Sequence, residues 1–214
     1  MPINNTTWNR IRYGAAAPVY DLFTAPLQYM GFKAARRRAF ELLGPRPGER
    51  LLIVGAGTGL DLEHVPAGVE VVATDLSPAM VRRADQRARR LGLQVDCRVM
   101  DGESLEFPDA HFDKVVLHLI LAVMPDPHAC AREVGRILRP GGSVSIFDKF
   151  VRDGEAPSVL RRVADVFANA TVSSLTRQLG PILESGSLHL RQRETYMRGF
   201  FTVAVAEAVP GGGS

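Results

Sequence analysis

The sequence predicts a doubly wound α/β domain, a mostly parallel sheet with helices on both faces and an antiparallel hairpin added at its end. Three observations carry the prediction. From residue 51 onward short apolar runs alternate with stretches of helical periodicity, as right-handed βαβ crossovers require. A glycine cluster, "GAGTG", falls directly after the first apolar run, where a strand must turn into the next element. Two late β-like runs stand side by side with only "MRG" between them. A chain of 214 residues with 46% apolar composition has the material for one sizeable core.

Taken in order, the strands are "RLLIVGAG", "VEVVATD", "QVDCRVMD", "FDKVVLHLIL" and "SVSIFDKF", with helices between them in "SPAMVRRADQRARRLG" and "DPHACAREVGRIL". In the first of these helices Met80, Val81, Ala84, Ala88 and Leu91 share one stripe, and Ser77 before Pro78 supplies an N-cap with proline at the first helical position. The stretch "RPGG" reads as the turn before the fifth strand. Beyond Phe150, "APSVLRRVADVFANA" and "SSLTRQLGPILESG" are expected as helices, and "SLHLRQRETY" with "GFFTVAVAEA" as a hairpin on the sheet's edge. The final "PGGGS", residues 210–214, is expected to be a flexible tail.

Composition narrows the function. No apolar run approaches the roughly 20 residues of a membrane-spanning helix, and "MPINNTTWNRIRYG" has no signal-peptide pattern, so a cytoplasmic location is expected. Cys97 and Cys130 lack ligand or CxxC spacing, so reduced, packed thiols are expected and no metal. The net charge of +3 is concentrated at the front. Residues 1–50 carry Arg10, Arg12, Lys33, Arg36, Arg37, Arg38, Arg46 and Arg50 against Asp21, Glu41 and Glu49. Such an excess suits an anionic surface or a solvated helix face; no RNA-reading motif accompanies it, and no nucleic-acid partner is expected.

Ligands of open α/β sheets bind beyond the carboxyl ends of the strands. There Gly55, Gly57 and Gly59 offer bare backbone, which suits either a close-lying ligand or a tight turn. The spacing is neither G-x-G-x-x-G, whose last glycine would fall at Leu60, nor a P-loop, which needs a following G-K-[ST]. Asp75, ending "VVATD", can accept from two ribose hydroxyls, and Asp101, after the third strand, from an exocyclic adenine amine, with Met100 packing on the ring. Asp101 also suits a turn or cap.

The segments "LLIVGAGTG", "VVATDLSPAM", "MDGESLEFPDAHFDKVVL" and "REVGRILRPGGSVSIFD" resemble, in order and spacing, the class I S-adenosylmethionine-dependent methyltransferases over residues 45–150. The resemblance implies a Rossmann-like seven-stranded sheet, S-adenosylmethionine as donor and S-adenosylhomocysteine as product. It implies that Gly55, Ala56, Gly57 and Gly59 form the floor under the methionyl and ribose parts, and that Asp75 takes the ribose hydroxyls. Leu76 and Met80 would flank the adenine, Met100, Asp101 and Gly102 would hold it, and Leu117 and His118 would meet the methionine moiety and its methyl. One departure stands out: Ile53 occupies the place of the family's acid, and Asp61 is the candidate to reach back in its stead.

The acceptor must be sought in the front segment. "WNRIRYGAAAPVYDLFTAPLQYMGFKAARRRAF" interleaves aromatics with basic residues, the composition of a helix in a membrane interface or of a lid that packs over a ligand. Residues 1–45 are accordingly expected as an amphipathic lid and membrane-contact segment, ahead of the methyltransferase domain at 46–209. "APVYDLF" and "VMPDP" resemble bacterial phospholipid N-methyltransferases, which carry phosphatidylethanolamine toward phosphatidylcholine; "YD", "FPD" and "LRPGG" are similar also to ubiquinone and menaquinone C-methyltransferases. The lipid resemblance implies a peripheral enzyme on an anionic membrane with a phospholipid substrate. Tyr13, Tyr20 and His118 are the candidates to orient the amine, His118 also as proton acceptor, and Lys149 and Arg177 are candidates for a lipid phosphate.

Overall fold

The structure is a computed structural model that describes residues 31–151, 177–196 and 199–209. The elements are α1 (Lys33–Leu43), β1 (Arg50–Val54), a 3-10 turn (Leu60–His64), β2 (Glu70–Asp75), α2 (Pro78–Arg90) and β3 (Val95–Val99). They continue through β4 (Phe112–His118), α3 (Pro127–Ile137), β5 (Leu138–Asp148), α4 (Leu179–Ser185), β6 (Leu188–Tyr196) and β7 (Phe201–Ala208). The seven strands form one sheet in the order β3-β2-β1-β4-β5-β7-β6. Strands β1 to β5 pair in parallel and β7 joins β5 antiparallel, with β6 outside it. This is the expected doubly wound sheet with its terminal hairpin.

Strand alternation sorts the core onto two faces. Leu51, Ile53, Val71, Ala73 and Val116 point to the face covered by α1 and α2, where Phe40, Leu43 and Ala88 meet them. Leu52, Val54, Val115, Leu117, Val144 and Ile146 point to the other face, under Cys130, Ala131, Val134 and Ile137 of α3 and Leu179, Ile182 and Leu183 of α4. Helix α1 belongs to the expected lid, yet it lies on the sheet: Phe32 stacks edge-on against Phe147 and Phe201, with Ala35 and Ala39 buried behind it. The preceding part of that segment, with Tyr13 and Tyr20, lies outside the described residues.

Caps behave as the residue types dictate. The Ser77 hydroxyl accepts from Met80 N–H at 3.4 Å, and the Asp126 carboxylate accepts from His128 and Ala129 N–H at 2.9 and 3.0 Å. Two expectations shift. Leu91 is 43% exposed, because it caps the end of α2 beyond the sheet. The "RPGG" stretch is part of β5: α3 ends at Ile137, and the pairing steps from Phe112↔Leu138 to Lys114↔Ser143 across a bulge with Gly141 at φ 75. Of the helices expected after Phe150, α4 covers 179–185, and 152–176 lie outside the described residues.

Helix α3 and the end of α4 meet through glycines. A Cβ built on Gly135 would collide with the carbonyl oxygen of Gly186, a backbone atom that cannot rotate aside. Gly135→Ala is therefore expected to cost about 1–3 kcal/mol by overpacking. A melting temperature lowered by about 2–10 °C is the readout; an unchanged melting curve would refute the contact.

Candidate active site

The strand order reverses between β1 and β4, and the crevice at that switch point is where a doubly wound sheet binds its ligand. Its floor is the turn after β1. Gly55, Gly57 and Gly59 all have positive φ (66°, 56° and 79°), which a side chain would strain. The turn is held at both ends: Ala56 N–H donates to Thr74 carbonyl at 2.9 Å, and Gly57 N–H donates to Asp75 Oδ2 at 2.9 Å. The other oxygen of Asp75 accepts from Ser77 N–H at 2.9 Å. A carboxylate has about four acceptor sites, so Asp75 has capacity left for a diol. Burial pushes the Asp75 pKa up, and its two amide donors oppose that rise.

Above Gly57 a Cβ would meet open space, whereas above Gly55 it would run into the Ile120 side chain. Leu76 is half-buried, and Met80 lies buried on the inner stripe of α2. Beyond β3, Met100 is buried with Leu105 and Phe107, and Asp101 Oδ1 accepts from Glu103 N–H at 3.0 Å. A side chain on Gly102 would strike Val54 and Met124, so the chain passes close beneath this rim only because the residue is glycine.

The structure places Asp61 and His118 differently from the sequence reading. Asp61 is 3% exposed, and its carboxylate accepts from Arg36 Nη1 and His118 Nδ1, each at 2.6 Å. The other ring nitrogen of His118 lies 3.0 Å from Ser145 Oγ. With its side chain fully enclosed and both nitrogens engaged, His118 bridges β4, β5 and the turn that follows the glycines. Asp61 likewise pairs with a cation instead of reaching back over Ile53, itself packed into the core. Burial acts to raise the Asp61 pKa; Arg36 first, then His118, outweigh it and hold the carboxyl well below the usual carboxylate range. Sequence reasoning missed Arg36 and Ser145. Arg36 was findable, since it stands three, four and seven residues before Ala39, Phe40 and Leu43, on the apolar stripe of α1.

The exit of β4 is tense. Leu119 adopts φ 58, unusual for a residue with a branched side chain, and its N–H donates to the Phe147 carbonyl at 2.7 Å. Arg177 donates to the carbonyls of Leu121 and Met124, and the buried Asp148 accepts from Ala122 N–H at 2.9 Å, so both tie down the loop after β4. Lys149 is half-buried beside Asp148, and burial lowers its pKa while Asp148 opposes the fall. Both thiols are free, and burial pushes each up. Among the described residues no three acidic, histidine or cysteine side chains gather to hold a metal, and no helix is long and apolar enough to cross a membrane.

Residues 52–146 match the methyltransferase domain family. A phosphatidylethanolamine N-methyltransferase of Cereibacter sphaeroides is 35% identical over 139 residues, 64% of this chain and 68% of that protein. A 2-phytyl-1,4-naphtoquinone methyltransferase of Synechococcus elongatus is 34% identical over 139 residues, 62% of this chain but 59% of that protein. Uncharacterized mycobacterial proteins match at 36% identity, and there this chain spans 38% of their length. In fold alone, an S-adenosylmethionine-dependent methyltransferase from Aquifex aeolicus is similar, at TM-score 0.62 and 19% identity, covering 81% of this chain and 89% of that one. The same holds for a geranyl diphosphate C-methyltransferase from Streptomyces coelicolor solved with S-adenosyl-L-homocysteine, at TM-score 0.67 and 18% identity over 82% and 76% of the two chains. The site fits that donor: a backbone floor open above Gly57, and beside it a carboxylate with spare acceptor capacity at the end of β2. The chain belongs to the class I S-adenosylmethionine-dependent methyltransferases.

Proposed function

We propose that the chain methylates the amine of phosphatidylethanolamine, and of its methylated intermediates, toward phosphatidylcholine at an anionic membrane surface. The observation that carries this reading is the relative of that activity, 35% identical across 68% of its own length. The basic, aromatic front of the chain supports it. When bound, S-adenosylmethionine supplies a sulfonium methyl for in-line attack by the amine nitrogen. For an amine of pKa near ~10, forming the free base at pH 7 costs ~4 kcal/mol. That is a small part of a methyl-transfer barrier, so orientation and exclusion of water carry the reaction and no strong base is required. The enclosed His118 is consistent with this demand. Tyr13 and Tyr20 are proposed to orient the amine, and Lys149 is kept as a candidate for the lipid phosphate; Arg177 spends two donor groups on the loop after β4.

A second reading, C-methylation of a quinone precursor, has its own support in the naphtoquinone relative and in a demethylmenaquinone methyltransferase of Thermus thermophilus at 32% identity. Incubation with methyl-labelled donor and total membrane lipid, followed by chromatography, separates the two. Label in mono- and dimethylated ethanolamine lipids is the expected result; label confined to a neutral quinone fraction would overturn it.

A further inference from the structure

Arg36 has more hydrogen-bonding capacity than its surroundings use. The residue is 7% exposed, and Nη1 alone is spent on Asp61. Nε is sealed from water and meets no acceptor among the described residues. A buried donor left unmet costs on the order of 1–3 kcal/mol, so a fold that retains one invites the question of what completes it. The guanidinium edge formed by Nε and Nη2 is a planar pair of parallel donors, and its natural complement is an anion with two oxygens.

Where this edge lies follows from what holds it. Asp61 stands two residues after Gly59, and His118 is the last residue of β4; the two flank the switch point on the side that α1 covers. Arg36 is thus fixed at the carboxyl ends of the strands, beside the glycine turn. The pair Arg36 and Asp61 is already neutral in sum, so an incoming anion supplies a bond to an unmet donor without being the first counter-charge. Asp61 and His118 touch no substrate in this scheme. They are positioning residues that aim the guanidinium.

We propose that the Nε–Nη2 edge of Arg36 is the oxyanion subsite of the methyl-transfer site. Two anions come to that site: the carboxylate of the donor's amino-acid end and, on the acceptor reading proposed above, the phosphate of the phospholipid. The chemistry required is the same, and the two are distinguished by which binding constant moves.

The test is Arg36→Lys, which keeps a cation for Asp61 and removes the fork. Binding of S-adenosylhomocysteine and of 5′-methylthioadenosine, which lacks the amino-acid end, is measured by calorimetry, and KM for phosphatidylethanolamine in vesicles is measured alongside. Affinity for S-adenosylhomocysteine reduced about 10- to 100-fold, with methylthioadenosine unchanged, assigns the carboxylate. Both nucleosides unchanged with KM for the phospholipid raised about tenfold assigns the phosphate. A parallel loss for both nucleosides, or no change in any constant, overturns the proposal. Should Arg36→Lys melt early, the neutral pair Arg36→Met with Asp61→Asn removes both charges together, and the same comparison applies. The nucleoside measurements need no acceptor, so they stand even if the phospholipid reading fails.

Discussion

Asp61→Asn is expected to cost about 3–5 kcal/mol of folding stability, because it strands the Arg36 charge in the core with no counter-charge. The same loss leaves His118 Nδ1 facing an amide in place of a carboxylate. Adding Arg36→Met to Asp61→Asn is expected to recover much of that loss, since neutralising both partners removes the uncompensated charge. The pH dependence has a definite sign. The Asp61 pKa is depressed in the fold, so its contribution is fully present above the ordinary carboxylate range and is lost as pH falls toward the folded value. The gap between wild type and Asp61→Asn should be widest above about pH 4 and narrow below it. Urea unfolding at pH 7, 5 and 3 measures this; a gap independent of pH would show that Asp61 is not the ionised partner.

Asp75→Asn is expected to weaken donor affinity about 100-fold, equivalent to roughly 2.7 kcal/mol. Its carboxylate does two things that an amide cannot do at once. It accepts from both Gly57 and Ser77 N–H, and an asparagine offers a single oxygen where two stand now. The glycine turn, with three residues at positive φ, has little conformational preference of its own and takes its shape from such ties. Calorimetry with S-adenosylhomocysteine is the direct measurement, paired with a melting curve to show that the variant folds. An affinity within threefold of wild type would remove Asp75 from the site.

Most of the sheet was legible in the sequence because hydrophobic alternation, glycine and caps are local signals. Gly55 to Gly59 and Asp75 sit at strand ends that any reader of βαβ periodicity would find. The bulge at "RPGG" was not legible, since Gly141 at φ 75 serves a turn and a bulge equally well, and only the partner strand decides. The pairing of Asp61 was hidden for a different reason. It joins residues 36, 61, 118 and 145, and nothing in the local chemistry of an Asp in "GLDLEH" names partners so distant in sequence. Arg36 on an apolar stripe was the one visible trace. Read as part of a basic lid, it was counted with its exposed neighbours Arg37 and Lys33.

The seat of α1 on the sheet also sets where the chain can be cut. A boundary at residue 45, natural if the front were a separable membrane segment, would remove Phe32 from its place against Phe147 and Phe201 and Arg36 from Asp61. What remained would carry a buried acid stripped of its arginine, with His118 as its remaining partner, and an uncovered aromatic patch. The front of this enzyme is therefore not a cassette to be deleted or transplanted whole: any truncation or fusion that tests the proposed membrane contact has to end before Phe32 and leave the helix behind as part of the folded domain.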